Sequence, residues 1–454
     1  MRGRTAEVRR AGGTADSANR TSGFDTDSVI VRRVTLVDEI RSRAAALRAP
    51  AVARWFRVVG PAWVVMLADV DAPSVITAGK GGTESGYALL LPCFAIVPIL
   101  FLVQEMTARL ALATGKGHVE LVRSRYGPRW AAVSVLGMAV INFVAYVAEF
   151  AGIALGAGIV GIPAPVAIVG ALAIHASMVL SRSYTWFERL ALVLSLALFS
   201  FVVLAVAGRP DLAHMASGLS PLPSDVPHDY FALVVAIVGA SVMPWMLFYQ
   251  QSASVDKQLS REDLHGSRVE TLLGAVASQA LMAAVVIAAA AAMKSAAPVS
   301  ASATNLAELP EGMARLAAGG AGWLIAIGLI GSGLLALVVV SLSAAWGIGE
   351  LMGWPHSLNL KPSQARRFYG VYLVEVIPAA AVVLVSADFV RLCVGSMVFN
   401  VVVLALPLSF LVLLTSDREL LGDLANSRPR AALLWVVTLV LLASGVFGMI
   451  QYLT

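Results

Sequence analysis

Residues Leu67–Gly82 read LADVDAPSVITAGKGG, and the fold turns on how that stretch is understood. It falls within the first long apolar run of the chain, yet it holds two carboxylates, Asp69 and Asp71, a proline, Pro73, and several small residues. A continuous membrane helix has no place for that set. A charge at the bilayer centre costs about 2.5–3.5 kcal/mol or more, and proline withholds a backbone donor. The stretch therefore predicts a helix interrupted at Asp71–Ser74. A second stretch of this kind, Gly239-Ala240-Ser241-Val242-Met243-Pro244, lies in the sixth apolar run. Broken segments at matching places in two halves of a membrane chain point to a transporter's central binding site.

The composition supports a membrane setting. The 454 residues are 58% hydrophobic and 13% charged, whereas soluble domains are about half apolar and about a quarter charged. The net charge of +5 sits between apolar runs, where it reads as a topology signal and not as a nucleic-acid surface. Cys93 and Cys393 both fall inside apolar runs, which excludes a disulfide framework and makes them packing residues. No HExxH, Walker or nucleophile-elbow pattern occurs, so the chain is not read as an enzyme.

Apolar runs long enough to cross about 30 Å of hydrocarbon are expected at 58–82, 86–112, 130–157, 162–181, 186–207, 229–254, 269–294, 319–346, 367–386, 389–415 and 430–453, eleven spans in all. Before them, 1–52 reads as a disordered basic cytoplasmic tail, with an amphipathic piece at Val34–Phe56 suited to an anionic membrane surface. Lys and Arg gather in alternate connections: the tail, Lys116–Arg129, Arg182, Lys257–Arg268, Lys361–Arg367 and Arg418–Arg430. That places the N-terminus in the cytoplasm and the C-terminus outside the cell membrane. The stretch 208–228, with four prolines, is an extracytoplasmic connection dividing a first five-helix repeat, 53–207, from a second, 229–415, with 416–454 appended. Five spans per half invert the second half, so the expected fold class is an all-α polytopic membrane protein with a 5+5 inverted repeat and broken helices 1 and 6.

Several polar residues stand out against this background. Asp71 is the first candidate for an ion ligand; a helix cap is the plainer alternative, but Ser74 could cap without placing a charge at that depth. Asp69 faces another side, either supporting Asp71 or handling a proton. Pro244 deprives the Ala240 carbonyl of its helical donor, and Met243 falls on the same face as Ala240. Asn142, Tyr146 and Glu149 form one stripe of the third span, where a buried charge marks either a functional group or a helix-to-helix bond. Lys80 and Glu84 form a solvated pair near the outer end of span one. Gln104, Glu105 and Arg109 form a structural network at the inner mouth, and His175, the one histidine inside a span, is a hydrogen-bonded packing residue.

These residues carry a family resemblance. Gly60-Pro61, Asp71-Ala72-Pro73-Ser74, Thr77, Gly82 and Gly86-Tyr87 resemble the first helix of the Nramp divalent-metal transporters, whose motif there is Asp-Pro-Gly-Asn. Met243-Pro244-Trp245-Met246 resembles their Met-Pro-His-Asn, while Ala113-Thr114-Gly115-Lys116-Gly117 and Thr415-Ser416-Asp417-Arg418 resemble two further family motifs. The resemblance implies a leucine-transporter-type fold, with the family's ligands falling on Asp71, Ser74 in place of Asn, the Ala240 carbonyl and the Met243 sulfur. It also implies departures. The sixth-helix His becomes Trp245, the third-helix Asp becomes Tyr146, Glu149 matches the family's Glu, and Asn400 lies near the family's Gln, either holding a metal-bound water or bonding across helices. A divergent Nramp-related branch is implied, importing Mn²⁺ or Fe²⁺, with Mg²⁺ open and proton coupling weakened. The metal is cargo and no cofactor is expected; the partners are the ion and the lipid bilayer. The alternatives are a carrier of a non-metal solute on the same fold and a non-transporting membrane sensor or scaffold.

Overall fold

A computed structural model of the chain describes residues 60–179, 183–220, 230–293, 309–385 and 389–453. The tail at 1–52, the amphipathic piece, Arg182 and the end of the proline-rich connection lie outside the described residues.

Among the described residues the chain is helical throughout. Span one is the pair Pro61–Ala68 and Ala72–Ser85, bent by 49°. Spans two and three are Leu90–Thr114 and Pro128–Ile159. Span four is the shorter Ala164–Val179, followed by span five, Tyr184–Ala207, and span six, Tyr230–Asp256. Spans seven to eleven are Arg261–Met293, Glu311–Met352, Arg366–Val385, Phe389–Ser416 and Arg428–Gln451. Counting the bent pair as one, ten of the eleven expected spans are long and apolar enough among the described residues to cross a membrane, and the fourth, Ala164–Val179, is shorter than that; the two breaks fall where proline and the buried carboxylates demanded them. The flanks of spans five and eleven expose Val193, Leu196, Val203, Val206, Leu433, Val436, Leu439 and Val440. So continuous an apolar surface is unfavourable in water and fits lipid, while the backbone polar groups are satisfied within the helices.

Two spans run longer than their apolar stretches. Span eight reaches Met352 and carries Glu350, whose Oε2 accepts the amides of Val119 (2.9 Å) and Glu120 (3.3 Å) at the start of the helix His118–Tyr126. Its Oε1 accepts the Ser252 hydroxyl of span six at 2.6 Å. The helix N-terminus favours a carboxylate, so Glu350 joins three segments of distant sequence. Span seven starts at Arg261 and brings Glu270 to Gly60 N (2.5 Å) and Trp63 N (2.8 Å), capping the first half of span one. The 208–228 connection is partly helical, at Leu212–Gly218, because Asp211 caps it by accepting from Ala213 N and His214 N.

The remaining polar groups hold the bundle. Glu105 pairs with Arg109 (3.2 Å), Arg268 (2.9 Å) and Arg430 (2.5 Å), tying together spans two, seven and eleven. Lys80 and Glu84 make an i,i+4 contact of 3.7 Å, both partly exposed. Cys93 and Cys393 are both buried, and the Cys393 thiol donates to the Ala148 carbonyl at 3.6 Å.

Candidate functional site

The site is built where the two breaks meet. The second half of span one begins at Ala72, and Asp71 caps it, its Oδ1 accepting Ser74 N at 2.8 Å. Its other oxygen, Oδ2, is buried and receives no amide, hydroxyl or cationic donor, and the carboxyl nearest to Asp71 is that of Glu149. The magnitudes decide what the cap means. A side-chain cap contributes about 1 kcal/mol, less than the cost of a carboxylate at bilayer depth, so capping does not account for an Asp here.

Glu149 arrives from span three. Its Oε2 accepts Ala72 N at 3.3 Å, while Oε1 has no donor. Span three comes this near because Gly152 lies on Ala72, where a Cβ would stand 2.3 Å from that of Ala72. Asp69, in the turn between the halves, is also fully buried, and neither carboxylate oxygen has a partner. No Lys or Arg among the described residues pairs with Asp69, Asp71 or Glu149. Buried negative charge concentrated at one break calls for a cation or protons.

The sixth span supplies the facing wall. Its first half ends at Gly239 and its second begins at Pro244, so the Ala240 carbonyl receives no amide four residues on. It is met by the Ser74 hydroxyl, 3.2 Å away across the break. Met243 is fully buried, and its Sδ accepts the Trp245 indole N–H at 3.2 Å; Met243 N in turn donates to Met246 Sδ at 3.3 Å.

The structure thus brings Asp71, Ser74, Ala240 and Glu149 together, with Met243 and Trp245 at the edge of the same break. Asn400, on span ten, donates from Nδ2 to Met397 Sδ at 3.9 Å and keeps Oδ1 without a donor. Tyr146 lies one turn from Glu149, within a polar group with Asn142, Ser341 and Glu375. His175 is the packing residue expected, with Nε2 3.0 Å from Ser341 Oγ and its ring stacked on Tyr372 at 4.2 Å. In the connection after span two, burial pushes His118 down to about 4, which leaves its ring neutral.

Three residues escaped the sequence reading. Met397 accepts the Ser74 hydroxyl at 3.6 Å. Gln279 of span seven accepts from Ser241 at 3.2 Å. Glu375 stands in the middle of span nine, between the apolar residues Val374 and Val376. The last two were detectable as polar residues in apolar runs, but Met397 carried no such mark.

Comparison with known proteins bears on the family and the fold. Residues 62–451 match the family described as natural resistance-associated macrophage protein-like. A relative in Agrobacterium fabrum, described as the divalent metal cation transporter MntH, is 27% identical over 407 residues, covering 85% of each chain. The manganese transporter of Eremococcus coleocola, solved with an aromatic bis-isothiourea compound, superposes with a TM-score of 0.73 at 18% identity, over 89% of this chain and 88% of that one. Its H236A mutant gives 0.72 at 17% identity, over 89% of each chain. The fold is therefore the all-helical leucine-transporter type that the family resemblance implied.

Proposed function

The chain belongs to the Nramp family, and from that premise we propose that it imports a divalent metal ion across the cell membrane by alternating access, holding the ion between the two broken spans. It is an integral membrane transporter and not an enzyme, and the metal is its cargo. The observation that carries this reading is the unpartnered Asp71 Oδ2 beside a Ser74 hydroxyl and an Ala240 carbonyl that meet across the break. Asp71 supplies charge, Ser74 and Ala240 supply hard oxygen, and Met243 supplies a soft contact. Sulfur favours Mn²⁺ and Fe²⁺, with Mg²⁺ the next candidate because three hard oxygens also suit it. The two halves, 53–207 and 229–415, rock about this centre, with the Arg- and Lys-rich connections facing the cytoplasm. Glu149 stands behind Asp71 as a supporting carboxylate, and Asp69 is the candidate proton-handling group in the turn.

Uptake of Mn²⁺, Mg²⁺ and Ca²⁺ into proteoliposomes tests the proposal; a protein that accumulates none of them is not the importer described. Met243→Ala is expected to weaken Mn²⁺ and Cd²⁺ binding about tenfold while Mg²⁺ and Ca²⁺ change about twofold or less. Calorimetry that returned equal losses for all four ions would make Met243 a packing residue at the break.

Coupling follows from the same residues. Trp245 and Tyr146 stand where the resembling motifs have His and Asp, so two titratable steps are missing. Metal uptake is expected to proceed without stoichiometric proton entry and to depend weakly on an imposed pH gradient. A pH-sensitive dye trapped in the lumen, read at fixed membrane potential, measures it. Acidification that tracks uptake and vanishes in Glu149→Gln would restore proton coupling and make Glu149 the carrier.

A further inference from the structure

Three thioethers surround the two breaks, and they are held differently. Met243 and Met246 belong to span six and are engaged by N–H donors of their own segment, the Trp245 indole at 3.2 Å and the Met243 amide at 3.3 Å. Met397 comes from span ten. It is fully buried, and its Sδ is 3.6 Å from the Ser74 hydroxyl and 3.9 Å from Asn400 Nδ2.

The Ser74 hydroxyl reveals where that sulfur points. It has one proton and two acceptors in reach, Ala240 O at 3.2 Å and Met397 Sδ at 3.6 Å, so the lone pairs of a carbonyl and a thioether converge on the same small region. Donors converging beside an unpartnered carboxylate oxygen are what a cation requires. The position of the sulfur is set by backbone. A Cβ on Gly239 would stand 1.9 Å from the Met397 carbonyl, so span ten rests directly on the end of span six's first half, with no side chain between them.

We propose that Met397 is a specificity-determining ligand of the transport site, a thioether reaching the ion from span ten opposite Met243. The inference rests on the reading of the site given above. When an ion enters, the Ser74 hydroxyl turns its oxygen toward the cation, and the sulfur lone pair that faced its proton faces the ion. Two soft donors select Cd²⁺, Fe²⁺ and Mn²⁺ over Mg²⁺ and Ca²⁺, because a thioether does not replace the tightly held water of a hard ion. Asn400, one turn further along span ten, holds the thioether in place through Nδ2.

The test uses the purified full chain in detergent. Met397→Leu removes the sulfur at nearly constant volume. Calorimetry is expected to show Cd²⁺ weakened about tenfold and Mg²⁺ changed about twofold or less. X-ray absorption of the Cd²⁺-loaded parent, which needs no substitution, is expected to show two sulfur neighbours, and the Leu variant one. Equal losses for all ions, or a single sulfur neighbour in the parent, overturns the assignment of Met397. Asp71→Ala, run alongside, separates the two levels. If Asp71→Ala binds Cd²⁺ like the parent, the central site itself is wrong; if it loses binding while Met397→Leu leaves the Cd²⁺/Mg²⁺ ratio unchanged, only the role of Met397 fails.

Discussion

Asp71→Ala is expected to lower divalent-ion binding at least about a hundredfold and to stop uptake, while the protein stays folded. Charge supplies the first half of that expectation. A carboxylate in direct contact with a doubly charged ion, away from bulk water, contributes well over the roughly 3 kcal/mol that a hundredfold represents, even at an effective dielectric of about 20. The second half comes from setting the cap against the buried charge. Losing the bond from Ser74 N to Oδ1 costs about 1 kcal/mol, and relieving a carboxylate whose Oδ2 has no donor returns about as much or more. Asp71→Asn keeps the cap and removes the charge, so it should match or exceed the parent in thermal stability and still fail to bind. Thermal melts and Mn²⁺ titrations on the same preparations check both; a variant binding Mn²⁺ as tightly as the parent removes Asp71 from the site.

What the sequence disclosed, it disclosed through cost. Asp69 and Asp71 in an apolar run, and Pro244 in another, are expensive unless the helix opens, so both breaks were legible from the residues alone. The bend of 49° in span one and the carbonyl of Ala240 freed from its amide follow from the same rules. Glu149 was legible as a buried charge, but its attachment to Ala72 N was not, because that bond depends on Gly152 letting span three reach the break.

Residues that cost nothing were silent. Methionine is an ordinary filler of membrane cores, and Met397 meets Ser74 across 323 positions of sequence, a separation that no local pattern encodes. The Glu270 cap on span one and the Glu350 link to the helix after span two join positions 210 and 231 apart in the same way. Hydropathy placed span eight's apolar centre but ended it before Glu350, since the last turns leave the apolar run to reach a partner that only the fold brings near.

The second large effect is expected at Gly239. Replacing it with Ala puts a Cβ 1.9 Å from the Met397 carbonyl oxygen and 2.7 Å from Val401 Cγ2. Neither obstacle is a flexible side-chain tip. The carbonyl belongs to the interior of the helix Phe389–Ser416, where it is fixed by the backbone, so span six and span ten must separate by more than about 1 Å to reach ordinary contact. The overpacking costs about 1–3 kcal/mol of stability. The larger consequence is functional, because the displaced segment carries Ala240 and Met243 and moves them away from Asp71 and Ser74. A misplacement of about 1 Å among groups that act together is worth about a hundredfold, so uptake should fall by that order in Gly239→Ala while part of the population remains folded. Gly137→Ala serves as the control, since its nearest neighbour would be Leu406 Cδ2 at 3.6 Å, an ordinary contact. Uptake is normalised to the monodisperse fraction in each case. Parental transport by Gly239→Ala would mean that the two spans do not bear on one another at the ion's position, and the site would have to be drawn without span ten.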